Sequence, residues 1–211
     1  MDRVIRSSIV RNPSYGRGMA DVLLFHHIQG LTPGVLAFAD ELRAAGHTVH
    51  TPDLYDGRTF DSIKAGADFS FGEGAPDFDA RADEVAATLP EGLVYAGFSM
   101  GVTQAQRLAQ TRPGAVGALL FESCIPLTGE WAFGPWPAGV PVQIHGMDAD
   151  EFFAGEGDID AARALVEEAD DGELFVYPGD HHLFADSSIS TYDEEAATLL
   201  RRRVLDFLSD R

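Results

Sequence analysis

The chain has 211 residues, with 15 Lys+Arg against 34 Asp+Glu and a formal net charge of −19. Its 45% hydrophobic share is too rich for a disordered chain, and its length suits one buried core better than two. The acidity excludes a nucleic acid partner, whose phosphates select Lys and Arg, and argues equally against an anionic membrane surface.

Residues 1–18 hold Arg3, Arg6, Arg11 and Arg17 against Asp2, a net of +3, which leaves −22 on the other 193 residues. They show no clear period and lack the apolar core of a secretory signal. They read as a flexible N-terminal extension, or as sequence upstream of a native start at Met19, ahead of a folded domain over 19–211. Residues 22–26 are then a short apolar run with the length of a buried strand. Thr32-Pro33 reads as an N-cap and first helical residue. Val35, Leu36, Ala39 and Leu42 share one helical face, and Gly46 is the stop. A second strand is predicted over 48–51, ended by Pro52-Asp53. Residues 55–78 are rich in Gly, Asp and Phe and read as irregular.

A helix follows over 79–89, a strand over 93–97, a helix over 101–111 and a strand over 116–121. Residues 123–140 read as a loop holding Pro126, Pro135 and Pro137. A strand over 142–145, a helix over 160–169, a strand over 174–177 and an amphipathic helix over 193–208 complete the chain. Strands alternating with helices of about ten residues or more imply βαβ units. The expected fold is a single α/β domain, with a mostly parallel sheet covered by helices on both faces. Ligands of such a sheet sit at the carboxyl ends of its strands, so the chemistry is sought there. No run of 18 apolar residues occurs, so no transmembrane helix is expected. Cys124 is the single cysteine, which forbids an internal disulfide and suits a cytoplasmic protein.

After the 93–97 strand comes Gly97-Phe98-Ser99-Met100-Gly101, a G-x-S-x-G pattern between strand and helix. In this setting the serine sits on a sharp turn, and the two glycines allow strand and helix to approach closely. The next amide, that of Met100, points at a developing oxyanion. A serine nucleophile needs a histidine base, and the histidine needs a carboxylate to orient it. Later strand ends offer both. Asp148, Asp150 and Glu151 follow one strand, and His181 and His182 follow the next. From residue type and order alone, each slot stays ambiguous.

The sequence resembles the dienelactone hydrolase family of the α/β-hydrolase superfamily. The likeness is carried by Leu24-Phe25-His26-His27-Ile28-Gln29-Gly30-Leu31-Thr32-Pro33 and by Thr51-Pro52-Asp53-Leu54-Tyr55. Phe38-Ala39-Asp40, Leu42 and Ala44-Ala45-Gly46 lie between them. It touches the elbow, Asp150-Glu151-Phe152-Phe153 and His182-Leu183-Phe184, and spans roughly residues 19–208. The resemblance implies Asp150 as the acid and His182 as the base. It implies the Ile28 amide as the second oxyanion donor beside Met100.

Three departures bear on the substrate. The family's founding activity uses a cysteine nucleophile where Ser99 stands, which favours ordinary ester hydrolysis. His27 replaces a glutamate that the family often ties to the resting nucleophile. Asp186 stands where lactonases acting on a carboxylated dienelactone carry an arginine, so a substrate neutral or cationic at its reacting end is expected. His27, Glu122, Trp131, Phe152 and Asp186 are candidate pocket residues.

The seven histidines show no metal-ligand spacing, so neither metal nor cofactor is expected. His26 is expected to support the oxyanion loop, and His145 to pack beneath the acid loop. The sequence therefore predicts a serine hydrolase of a small-molecule ester or lactone, as a monomer or homodimer. A thioesterase or acyltransferase with the same triad is the alternative, followed by a non-catalytic binder on the same fold.

Overall fold

A computed structural model describes residues 3–6 and 18–211. Five strands are apolar runs buried almost throughout: β2 (Asp21–Phe25), β4 (Leu93–Phe98), β5 (Gly117–Phe121), β6 (Val142–Met147) and β7 (Gly172–Tyr177). Burial on both faces is what a parallel sheet sandwiched by helices demands. The short β3 (Thr48–His50) lies at one edge, and β1 (Arg3–Arg6) lies at the other. The order is β1-β7-β6-β5-β4-β2-β3. All pairings are parallel except that of β1 with β7.

The helices begin where the sequence supplies caps. Thr32 Oγ1 accepts the Val35 amide at the start of α1 (Pro33–Ala44), and Asp77 accepts that of Ala80 at α3 (Phe78–Ala87). Asp193 accepts the Ala196 amide at α6 (Glu194–Leu208), with Glu194 and Glu195 in the first turn, where the helix dipole favours them. α4 (Gly101–Thr111) starts directly from the β4 turn, and α5 (Asp158–Glu168) follows Gly157 in a left-handed conformation.

Alternation along the strands splits the core in two. Leu23, Phe25, Leu93 and Tyr95 face α3, α4 and α5. Val22, Leu24, Val94, Ala96 and Phe98 face α1 and α6, meeting Phe38, Leu42, Leu200 and Phe207. Truncating one such fully buried leucine costs about 2–5 kcal/mol. The chain runs from β2 outward to β3, then returns to β4 and continues the other way. The ends of β2 and β4 therefore flank the point where strand order reverses, the crevice in which such sheets bind ligands.

Two expectations change. The segment over 55–78 contains a helix, α2 (Ile63–Ser70), capped by Ser62 Oγ on the Ala65 amide. Its apolar signal is weak because only Gly66 and Ser70 are buried. Gly66 sits so close to the loop after β2 that an added Cβ would lie 2.1 Å from the Ile28 carbonyl oxygen. The N-terminal extension is not wholly irregular either. Its residues Arg3–Arg6 pair antiparallel with β7, Ile5 opposite Leu174, while 1–2 and 7–17 lie outside the described residues. Antiparallel addition at an edge needs only backbone partners, which a four-residue stretch supplies without an apolar period. Among the described residues no helix is long and apolar enough to cross a membrane.

The fully buried residues of both core layers lie outside β1, which adds only the partly buried Ile5 to one of them. A chain starting at Met19 is therefore expected to fold, with a melting temperature lowered by roughly 2–4 °C for each kcal/mol of lost edge pairing. Thermal denaturation followed by circular dichroism checks this, and absence of a cooperative transition would contradict it.

Candidate active site

Ser99 occupies the turn between β4 and α4 with φ of +46°, a left-handed conformation that costs a non-glycine residue about 1–3 kcal/mol. The surroundings enforce it. The Ser99 amide donates to the Phe121 carbonyl at 2.7 Å, and the Ser99 carbonyl accepts from Val102 at 2.8 Å. A Cβ on Gly97 would lie 2.3 Å from the Gly101 carbonyl oxygen, and one on Gly101 would lie 2.5 Å from that of His26. Both glycines are thus required by backbone contact.

Ser99 Oγ lies 2.7 Å from His182 Nε2, and His182 Nδ1 lies 2.7 Å from Asp150 Oδ2. The other Asp150 oxygen accepts the Phe152 amide at 2.9 Å. Asp150 is fully buried and His182 is 8% exposed, so the relay is nearly dry. The alternatives at each slot are turned elsewhere. Asp148 accepts the Gly179 amide, Glu151 is exposed, and the His181 side chain is 47% exposed. Burial opposes the charged form of His182. The Asp150 hydrogen bond, with the charges of Glu122, Asp150 and Asp158, outweighs it and raises the imidazole pKa.

The loop after β2 faces the elbow. Among the described residues, the amides of Ile28 and Met100 donate to no protein acceptor. His26 supports this loop: Nδ1 donates to the His27 carbonyl at 2.8 Å, and Nε2 accepts the Leu54 amide at 3.2 Å. Burial drives its pKa down to about 4, so the ring is neutral and can play both parts. His145 lies in β6 itself, bonded to Tyr177 and Gln143 and stacked on Phe175.

Two adjoining hollows open beside the relay, sharing Ile63 and Thr191. The one containing His182, about 450 Å³, is lined by Glu151, Phe152, Asp180 and His181. The other, about 640 Å³, runs past Gln29, Phe60, Leu183 and Ser188. Phe152 is thus a wall residue, its ring centred 4.6 Å from that of His182. The other four candidate pocket residues are placed differently. Trp131 is 77% exposed and lines neither hollow, because its Pro-bounded loop carries it outward. Glu122 is fully buried below the surface.

His27 and Asp186 are buried against each other. His27 Nε2 donates to Asp186 Oδ2 at 2.7 Å, and Thr32 and Ser188 hydroxyls donate to the same carboxylate. Asp186 therefore joins the loop after β2 to the loop after β7 and presents no charge to a ligand. Burial alone would push its carboxyl up, but donors from His27, Ser188 and Thr32 prevail and hold it down at about 2. The sequence offered Thr32 only as a helix cap and gave no sign of Ser188. Among the described residues no group of three or more His, Cys, Asp or Glu side chains is arranged to hold a metal ion.

With this geometry in place, the comparison with known proteins is decisive for the family. The dienelactone hydrolase family model matches residues 9–211. The chain belongs to the dienelactone hydrolase family. The match begins inside the segment read as an extension. A candidate dienelactone hydrolase from Klebsiella pneumoniae subsp. pneumoniae MGH 78578 superposes with a TM-score of 0.69 at 19% identity, covering 100% of both chains. The dienelactone hydrolase-like promiscuous phosphotriesterase P91, from metagenomic libraries, gives 0.65 at 17% identity over 100% of this chain and 98% of its own. Esterase 2 of Thermogutta terrifontis, with propionate bound, gives 0.65 at 18% identity over 99% and 89%. These likenesses establish the α/β-hydrolase fold. No curated protein matches the chain by sequence.

The Asp186 hub generates a prediction. Asp186→Ala strands four donors, the Ser188 amide among them, and is expected to cost about 3 kcal/mol in urea unfolding at pH 7. The carboxyl has a lower pKa folded than unfolded, so its contribution is complete above its ordinary value of 3.8 and is lost as pH falls towards about 2. The stability difference between wild type and Asp186→Asn should therefore shrink through that window. A difference independent of pH would contradict the assignment.

Proposed function

We propose that this protein is a serine hydrolase that cleaves a carboxylic ester or lactone through an acyl-enzyme. The observation that carries the reading is the unbroken relay from Ser99 Oγ through His182 to Asp150, with both links at 2.7 Å, launched from a strained elbow.

In this mechanism Ser99 Oγ attacks the carbonyl carbon while its proton passes to His182 Nε2. Asp150 accepts from Nδ1–H, fixing the tautomer and stabilising the imidazolium. The carbonyl oxygen becomes an alkoxide that takes hydrogen bonds from the Ile28 and Met100 amides. A donor of this kind is worth about 3 kcal/mol in the transition state. Collapse expels the alcohol, which receives the proton from His182. A water then repeats the sequence on the acyl-enzyme, with His182 as base, and frees the acid and Ser99. Every step uses side chains and backbone of this chain, and no cofactor enters.

The hollow at His182 carries Glu151 and Asp180, both exposed carboxylates. These, rather than Asp186, now argue for a substrate neutral or cationic near its reacting end. The reading also includes a cytoplasmic enzyme acting as a monomer or homodimer.

An activity-based phosphonate probe tests the nucleophile. Wild type is expected to be labelled at Ser99 and Ser99→Ala is not. A folded wild type that stays unlabelled would overturn the hydrolase reading. For the base, His182→Ala should lower kcat on p-nitrophenyl acetate by on the order of 10³-fold, with His181→Ala close to wild type. Equal activity of the two variants would sink the choice of His182. Thioester turnover well above ester turnover, or acyl transfer to an added alcohol in preference to water, would move the reading to a thioesterase or acyltransferase.

A further inference from the structure

Glu122 follows β5 with φ of +64°. Its amide donates to the His145 carbonyl at 2.6 Å, so the backbone is fixed in that conformation. The side chain is fully buried, and neither carboxylate oxygen completes a hydrogen bond among the described residues. The amides of Phe184 and Ala185, from the loop after β7, lie near enough to favour its charge. Packing does not account for such a residue, because a buried carboxyl without firm partners is costly and an apolar side chain would fill the same volume.

The surroundings give it a purpose. His182 is the cationic partner within its electrostatic reach, and Asp150 is the neighbouring anion. Around His182 stand carboxylates from three elements: Asp150 after β6, Glu122 after β5 and Asp158 at the start of α5. Asp158 is already engaged by the Ser123 hydroxyl at 2.6 Å and the Cys124 amide at 3.1 Å. Asp150 is engaged by His182 and Phe152. Glu122 alone among the three has its oxygens without such bonds.

We propose that Glu122 is a positioning residue for His182, a second buried carboxylate that stabilises the imidazolium formed when Ser99 gives up its proton. This rests on the reading of Ser99, His182 and Asp150 as the reacting relay. Glu122 touches neither substrate nor the proton in flight. It sets the potential at the ring. Burial pushes the Glu122 carboxyl up to about 7, against the opposing pull of a charge on His182. The two groups therefore titrate as a pair, and formation of the imidazolium favours ionised Glu122.

The sign of the effect is definite. An ionised Glu122 raises the pKa of His182, and kcat/KM requires the neutral ring. Glu122→Gln should shift the acidic limb of the pH–kcat/KM profile to lower pH by about half a unit or more. It should lower the plateau kcat on the order of tenfold with KM little changed. Glu122→Asp should restore part of both. A purely structural role would lower folded yield or melting temperature and leave the limb in place, and that result would overturn the proposal.

The ring titration of His182, followed by NMR in the resting protein, separates this proposal from the hydrolase reading. Glu122→Gln should lower that pKa even if wild type hydrolyses no ester and takes no phosphonate. If Glu122→Gln does not fold, Glu122→Met is the second neutral variant. The wild-type titration is itself a test, since the coupled pair predicts two steps. A single-step curve there, or an unchanged His182 pKa in a folded neutral variant, would overturn the proposal.

Discussion

The parallel sheet does not stop at its last residues. Its cross-strand amide bonds continue into the turns. Ser99 donates to Phe121 at 2.7 Å, Glu122 to His145 at 2.6 Å and Asp148 to Tyr177 at 2.9 Å. Each bond holds the start of a loop to the strand beside it. Four consecutive strands in the sheet thus end in a rigid row, and the relay is assembled across that row. This explains how residues 83 and 32 positions apart in sequence can meet at hydrogen-bond distance. It also explains where the strain goes. Ser99, Glu122 and Leu183 are three of the four non-glycine residues with left-handed backbone among those described; the first two directly follow strand ends and the third directly follows His182. At about 1–3 kcal/mol each, such conformations persist only where the surroundings over-determine them.

The same row concentrates charge. An acidic protein has many carboxylates to place, and most lie in water. A few do not. Asp150 is neutralised in effect by its donors, and Asp186 by three side-chain donors. Glu122 has no comparable set of bonds, and burial raises its pKa against the pull of a charge on His182 and of the Phe184 and Ala185 amides. At the buried imidazole, the net charge of −19 therefore acts through those few groups that burial makes effective. Exposed carboxylates elsewhere are screened within a Debye length.

Most of the architecture was legible because it rests on local signals. The apolar runs of β2, β4 and β7 and the cap Thr32 carry their own physics, and the structure follows them to within a few residues. The elbow was legible because Gly97 and Gly101 are needed by backbone contact that any such turn makes. The geometric choice between Asp148 and Asp150 was not local. It depends on which carboxylate the β6–β7 register brings beside His182, and periodicity holds no record of that. Helix α2 escaped for a related reason. Its buried face is Gly66 against the Ile28 carbonyl, a fit of small to large that leaves no apolar stripe.

Asp186 shows how a residue can be located by resemblance and still be misread. The resemblance sets it where lactonases acting on a carboxylated dienelactone carry an arginine. Side-chain direction is a separate matter. An arginine is long enough to reach a cleft from a loop, whereas an aspartate reaches only what is adjacent. Here the adjacent groups are His27, Thr32 and Ser188, all offering hydrogens, and the carboxylate turns to them. An added Cβ on Gly34 would fall 1.6 Å from Asp186 Oδ1, so the start of α1 also needs a glycine to admit the carboxylate. A position that could recognise substrate instead fastens the loop bearing the proposed oxyanion donor to the loop bearing the proposed base. The carboxylates that line the hollow beside His182 are those of the exposed rim, Glu151 and Asp180.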